Sequence, residues 1–283
     1  MTGGISPYTV ERPRGPVRFV YDSPHSGRHY PEDFHSLASR AQLRWAEDAY
    51  VDLLVQPAVS HGALLLCATL PRSFLDVNRP ATDIDAELLA EPWPTSLTPT
   101  DKTRRGLGLV RRYVVPGVPI YAPHSLTVAE LQRRIRDVHA PYHAALDALV
   151  NEAREACGAV WHVNWHSMKS RGNAMTPDGD GAERADFVVS DRDGASADPT
   201  LTTLVTETLA AFGYRVSLNH PYKGGHIVQR LGRPADGVHS VQVEINRALY
   251  LDEASVSPRH GFDTLRGHLE QLARRLAEDA PAR

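Results

Sequence analysis

Apolar positions along the chain recur with two periods, and the two alternate. Residues 17–21, 63–70, 159–164, 186–190, 215–218 and 240–245 are short runs rich in Val, Ile, Leu, Phe, Trp and Tyr, each ending in a turn-forming cluster. They predict strands, and residues 111–115 predict one more. Between them the spacing becomes helical. Residues 41–59 place Leu43, Val51, Leu54 and Val55 on one side, and residues 258–277 do the same with Leu265, Leu269, Leu272 and Leu276. A helix beginning at Thr127 has Glu130 three residues on, the spacing of a reciprocal N-terminal cap. Pro141 must kink that helix or start a second one, which then runs to Cys157 and stops at Gly158. Asp198-Pro199 opens another helix and Gly213 closes it. Residues 76–103 show no period and read as a long surface excursion.

Strands alternating with helices predict an α/β fold, a mixed and mainly parallel sheet flanked by helices. No repeat or linker interrupts the alternation, so residues 1–283 are expected to form a single domain. Composition adds exclusions. The formal net charge is −3, which gives no bulk attraction to nucleic acid or an anionic membrane. No apolar run approaches the length of a membrane span, and Met1-Thr2-Gly3-Gly4 has no secretion-signal character. Cys67 and Cys157 are the two cysteines, neither in a Cys-x-x-Cys pair, as expected of reduced packing residues in a cytoplasmic protein.

The informative excess is in histidine, with 14 residues, several beside Gly, Pro, Asn and Ser. Open α/β sheets place their sites beyond the carboxyl ends of strands. Here those ends carry Pro24-His25-Ser26-Gly27, Asn164-Trp165-His166-Ser167, Asn219-His220-Pro221-Tyr222-Lys223-Gly224-Gly225 and Glu244-Ile245-Asn246-Arg247. His25 and His166 are the best metal ligands on offer, since imidazole suits zinc and a catalytic zinc takes three protein ligands. For the third, Asp48 competes with Glu47 and Asp52, and spacing does not choose. Glu244 sits among Val241, Val243 and Ile245; a carboxylate there is either a general base near the metal or paired with Arg247 or Arg79. The planar fork of Arg79 suits a substrate carboxylate, with Arg111 and Arg112 as alternatives. Gly224 and Gly225 allow either close approach of backbone to a ligand or a flexible turn. His139 and His143 lie four apart and could share a helix face like two metal ligands, but Pro141 and the flanking Tyr142 favour packing. There is no phosphate loop and no Gly-x-Ser-x-Gly serine elbow.

Taken in order, these motifs resemble the N-formylglutamate amidohydrolases, deformylases of histidine breakdown. The match runs through Ser23-Pro24-His25-Ser26-Gly27, Tyr30-Pro31, Glu47-Asp48, Asp76-Val77-Asn78-Arg79, His166-Ser167-Met168, the stretch from Asn219 to Gly225, Gln242 to Arg247, and Leu249 to Glu253. The resemblance implies a zinc-peptidase-like (phosphorylase/hydrolase-like) fold and one zinc ion held by His25, Asp48 and His166. It implies Glu244 as base and Asn78 and Arg79 as a carboxylate clamp, with Asn219, Gly224 and Gly225 also facing a small substrate. The expected reaction is hydrolysis of N-formyl-L-glutamate to formate and L-glutamate. The alternatives are a zinc amidohydrolase or carboxypeptidase-like enzyme for another N-acyl amino acid, or a metal-binding or ligand-binding protein without catalysis. The chain departs from the family pattern at Asn164, where many members have Asp, and at His220, which separates Asn219 from Pro221.

Overall fold

A computed structural model of the protein describes residues 5–281. Met1-Thr2-Gly3-Gly4, read above for a secretion signal, lie outside the described residues. The strands of the main sheet are β1 (Tyr8–Glu11), β2 (Phe19–Ser23), β3 (Ala63–Ala68), β4 (Val160–Met168), β5 (Phe187–Ser190), β6 (Val216–Leu218) and β7 (Val238–Asn246), and a short ribbon pairs Leu251–Asp252 with Ser257–Pro258. The main sheet has the order β1-β3-β2-β4-β7-β5-β6. Strands β3, β2, β4 and β7 run parallel to one another; β1 is antiparallel to β3, and β5 is antiparallel to β7. The mixed, mainly parallel sheet expected from the alternation is therefore present. Strand β1 is an addition, four residues too short to stand out by periodicity.

The helices are α1 (Arg40–Leu43), α2 (Val51–Val55), α3 (Asp101–Arg104), α4 (Val128–Arg134), α5 (Ala140–Cys157), α6 (Pro199–Ala211), α7 (His226–Leu231) and α8 (Phe262–Asp279). On one face of the sheet, Tyr21, Val163, Trp165 and Val243 pack with Val205 and Leu209 of α6 and with Leu269 and Leu272 of α8. On the other, Leu146, Leu149 and Val150 of α5 pack with Val20, Leu64 and Leu66. Among the described residues no helix is long and apolar enough to cross a membrane.

Three predicted elements come out differently. The helix expected over 41–59 is broken: α1 passes into a 3-10 turn, Arg44–Ala46, and the chain leaves helical geometry before α2. The break has two visible causes. The Asp48 N–H donates to the His25 carbonyl at 3.0 Å instead of to its own turn. Tyr50 takes a left-handed conformation with φ 65°. Residues 111–115 form a loop with isolated bridges Leu107–Arg111 and Tyr113–Pro119; Gly106, Gly108, Pro116 and Gly117 deny it a regular ladder. At Pro141 a π turn, Ile135–His139, joins α4 to α5, so a second helix begins there.

Arg134 of α4 is buried, and its guanidinium donates to the Phe74 carbonyl at 2.8 Å and the Tyr121 hydroxyl at 2.7 Å, with Glu130 as its ion partner. It also lies 4.0 Å over the Phe74 ring. Methionine fills similar volume but strands two buried acceptors, so Arg134→Met should cost about 3 kcal/mol. Urea unfolding of both proteins checks this; a loss below about 0.5 kcal/mol, the size of an ordinary surface substitution, would show that the network contributes little.

Candidate metal centre

Side chains alternate across a strand, and register decides which neighbours share a face. Asp22 of β2 stands opposite Asn164 of β4; Asn164 and His166 stand opposite Gln242 and Glu244 of β7. One face of the central strands therefore carries a row of polar side chains, all buried. Strand β4 runs on to Met168 and β7 to Asn246, so His166 and Glu244 lie within their strands and not beyond them.

His25 lies two residues past β2, in a turn held by a hydrogen bond between the Ser23 and Ser26 hydroxyls and by the Asp52 N–H on Ser26. Gly27 is required there: an added Cβ would lie 2.1 Å from the Leu70 carbonyl oxygen. The broken helix brings Asp48 alongside. Its Oδ2 lies 3.3 Å from His25 Nδ1 and 2.9 Å from His166 Nδ1, and the three candidate ligand atoms lie within 4.8 Å of one another. The outer nitrogens are occupied elsewhere. His25 Nε2 is 2.7 Å from Asp76 Oδ1, and His166 Nε2 is 2.7 Å from Asn164 Oδ1. Protons placed on both Nε2 atoms leave both Nδ1 lone pairs facing the Asp48 oxygen. Three electron-rich atoms so arranged fit a divalent cation between them, with outer partners fixing each imidazole. Asn164 is itself oriented by donating to Asp22, which also accepts from His162 and Tyr142.

Burial alone would raise the Asp48 carboxyl, but the contacts with His166 and His25 and the nearby Arg72 hold it well below the ordinary carboxylate range. Arg247 donates to its other oxygen at 3.0 Å. The rivals face elsewhere: Glu47 is taken by Tyr30 and Arg44, and Asp52 by Arg28.

The cluster opens on a cavity of about 420 Å³, lined also by Asn78, Arg79, Gly224, Gly225 and Glu244. Asn78 and Arg79 sit on a turn in which the Asn78 N–H donates to Asp76. His143 and His139 support this turn from outside, bonding through Nε2 to the Val77 and Arg79 carbonyls at 2.9 and 2.8 Å. Burial, followed by the charge of His139, draws His143 down to about 3, so it is neutral near pH 7. These two histidines support backbone and are not metal ligands, as Pro141 and Tyr142 suggested against their spacing. Arg79 is braced by Leu107 and Asn78 carbonyls. At Gly225 a Cβ would meet Asn78 Nδ2 at 2.5 Å, so glycine lets the two loops touch.

Glu244 accepts a hydrogen bond from Gln242 Nε2 at 2.9 Å, while Gln242 Oε1 accepts from the Gly225 N–H. Burial pushes the Glu244 carboxyl up, against the pull of His166 and with the help of Asp48. The alternative pairing with Arg247 is not formed: Arg247 bonds Asp48, Ser167 and the Trp45 carbonyl. Asn219 departs from expectation. Its amide bonds the backbone and carboxylate of Asp191 and does not line the cavity. Asn tolerates its left-handed φ of 54°, so this residue shapes the turn leading to Gly224.

Sequence reasoning overlooked Arg72, Asp76 and Gln242. Arg72 lines the cavity, pairs with Asp76 at 2.7 Å and lies 3.8 Å from Asp48. The available signal was the position of Asp76 and Gln242 inside motifs already singled out for their neighbours.

Comparison with known proteins adds the family. A family profile described as N-formylglutamate amidohydrolase matches residues 17–251. An N-formylglutamate deformylase of Pseudomonas aeruginosa PAO1 is 30% identical over 243 residues, covering 85% of this chain and 84% of the relative. One from Pseudomonas putida is 27% identical with the same coverage. The crystal structure of an N-formylglutamate amidohydrolase from Ralstonia eutropha JMP134 is 42% identical, with a TM-score of 0.90 over 98% of this chain and 99% of that one. With polar rows, turn glycines and cavity all falling inside the matched span, this chain belongs to the N-formylglutamate amidohydrolase family.

Proposed function

We propose that the protein is a zinc-dependent amidohydrolase that cleaves the formyl amide of an acidic amino acid, with N-formyl-L-glutamate as its substrate. The observation that carries this reading is the convergence of two imidazole Nδ1 atoms on Asp48, with Glu244 paired in register beside His166 in one cavity. The names of the relatives supply the substrate class.

Bound by His25, Asp48 and His166, a divalent ion supplies Lewis acidity, which polarises a carbonyl and acidifies water. Asp76 and Asn164 hold the two imidazoles with Nδ1 inward. Arg79 receives a substrate carboxylate in its fork, which fixes the amide at the cluster. Arg72 is a permanent cation on the cavity wall beside Asp48, placed to stabilise negative charge growing on the carbonyl oxygen. Glu244 takes the proton of the attacking water as the C–O bond forms, then passes it to the nitrogen as the C–N bond breaks. The products are formate and the free amino acid.

The test is formate release from N-formyl-L-glutamate by zinc-loaded protein, run beside N-acetyl-L-glutamate. The expected kcat/KM for the formyl substrate is about 10⁴ M⁻¹s⁻¹ or more, an ordinary enzymatic value. Cleavage of the acetyl substrate in preference would replace the substrate assignment, and absence of turnover on both would overturn it.

A further inference from the structure

Lysine and arginine side chains far outnumber the carboxylates Asp101 and Glu244 on the cavity wall. Most of these cations already have acceptors. Arg72 is held by Asp76, Arg247 by Asp48, Arg184 by Asp178 and Lys223 by Asp193. Arg105 also lacks an ion-pair partner among the described residues but is exposed, whereas Arg111 is half-buried. Arg111 has no carboxylate partner among the described residues, its Nε is buried without a hydrogen bond, and one terminal nitrogen reaches only the Val114 carbonyl at 3.4 Å. A guanidinium normally finds acceptors for its fork of donors, and one left open on a cavity wall is arranged for a ligand.

The loop carrying Arg111 is tied to the rest of the site. The Asp76 N–H donates to the Leu109 carbonyl at 2.8 Å, and Arg79 Nε donates to the Leu107 carbonyl at 2.8 Å. Arg112 is anchored to Asp85 on the other side. Arg111 is thus held at a fixed offset from the clamp and the metal ligands. Lys102 and Lys169 line the same cavity, and neither forms an ion pair among the described residues.

Resting on the functional reading above, we propose that Arg111, assisted by Lys102 and Lys169, is a second anion subsite that receives the distal carboxylate of a dicarboxylic substrate. Arg79 then holds one carboxylate and Arg111 the other, and the acidic side chain is selected by charge rather than by shape. A cavity of about 420 Å³ accommodates a molecule of that size. Crowding of like charge agrees with an anion as the missing component. Burial and the charge of Arg72 draw Arg111 down to about 9, and the neighbouring charge of Arg79 lowers Lys102.

The test is calorimetric binding of glutarate and butyrate to the zinc-loaded protein, wild type against Arg111→Gln and Lys102→Met. The wild type should bind glutarate at least about tenfold tighter than butyrate, a difference of about 1.4 kcal/mol. Arg111→Gln should remove that preference while leaving butyrate affinity within about twofold. Lys102→Met, at an exposed position where folding is not at risk, should remove part of it. A wild type that does not distinguish the two acids, or variants that retain its preference, would overturn the subsite. Formate release is measured on the same proteins. Preference for glutarate through Arg111 without formate release would uphold the subsite and overturn the deformylase reading. Formate release with glutarate affinity indifferent to Arg111 would do the reverse.

Discussion

Glutamine in place of Glu244 should leave fold and metal binding intact and lower kcat by about two to four powers of ten, the usual weight of a general base. The substitution keeps shape. Gln242 donates to Glu244 Oε1, and a glutamine amide can present its oxygen to that donor. What disappears is the capacity to take a proton. The position is suited to that work: register sets Glu244 beside His166, and burial raises its carboxyl so that it accepts a proton more readily than an exposed glutamate. Formate release and metal content measured on the same sample check the result. Near-normal turnover would remove Glu244 from the chemistry. Attention would then pass to Glu253, whose carboxylate accepts from the Ser170 N–H at 2.8 Å.

Asparagine at position 48 should have an effect as large, through the metal. Asp48 is the anionic member of the cluster, and both Nδ1 atoms converge on one of its oxygens. Asp48→Asn preserves volume but exchanges the charged donor for a neutral amide. Metal affinity should fall by more than about 100-fold, past the range typical of changes behind the ligands. Asp76→Asn supplies that comparison: it alters only the outer partner of His25 and should weaken the metal by about 10- to 100-fold. Chelator competition followed by elemental analysis orders the two variants. Full occupancy in Asp48→Asn, or a larger loss in Asp76→Asn, would move the third ligand away from Asp48.

How much of this was legible in sequence depended on how local the cause is. The strands from 17 to 21, 186 to 190 and 240 to 245 announce themselves through β-branched and aromatic runs, and Asp198-Pro199 announces a helix, because short-range sterics decide both. His25, His166 and Glu244 were readable because polar residues next to such runs must have a partner or a role. The broken helix was not readable. Its cause is the hydrogen bond from Asp48 to the His25 carbonyl, a contact between segments 23 residues apart that only the closed site creates. For the same reason spacing could not choose among Glu47, Asp48 and Asp52, whereas the fold separates them by sending two toward Tyr30 and Arg28. Asn219 misled because it sits in a motif beside Gly224 and Gly225, yet its amide is spent on Asp191. The sequence motif marks the loop; which of its members face the cavity is set by the turn.

The strand order bears on how the chain acquires its shape during synthesis. Strand β7 lies inside the sheet between β4 and β5, although it is the last of the seven to leave the ribosome. Until residues 238–246 emerge, β4 carries an open edge on that side, and the β5–β6 pair has no ladder joining it to the rest. A nascent chain in this state exposes apolar residues and unpaired backbone groups, the features that invite mispairing and recruit chaperones. Closure then depends on a long-range insertion, a slow class of event because a large loop must be ordered before the contacts repay it. Glu244 rides on the inserted strand, so the candidate site and the sheet are completed together, and a chain stalled short of β7 has neither.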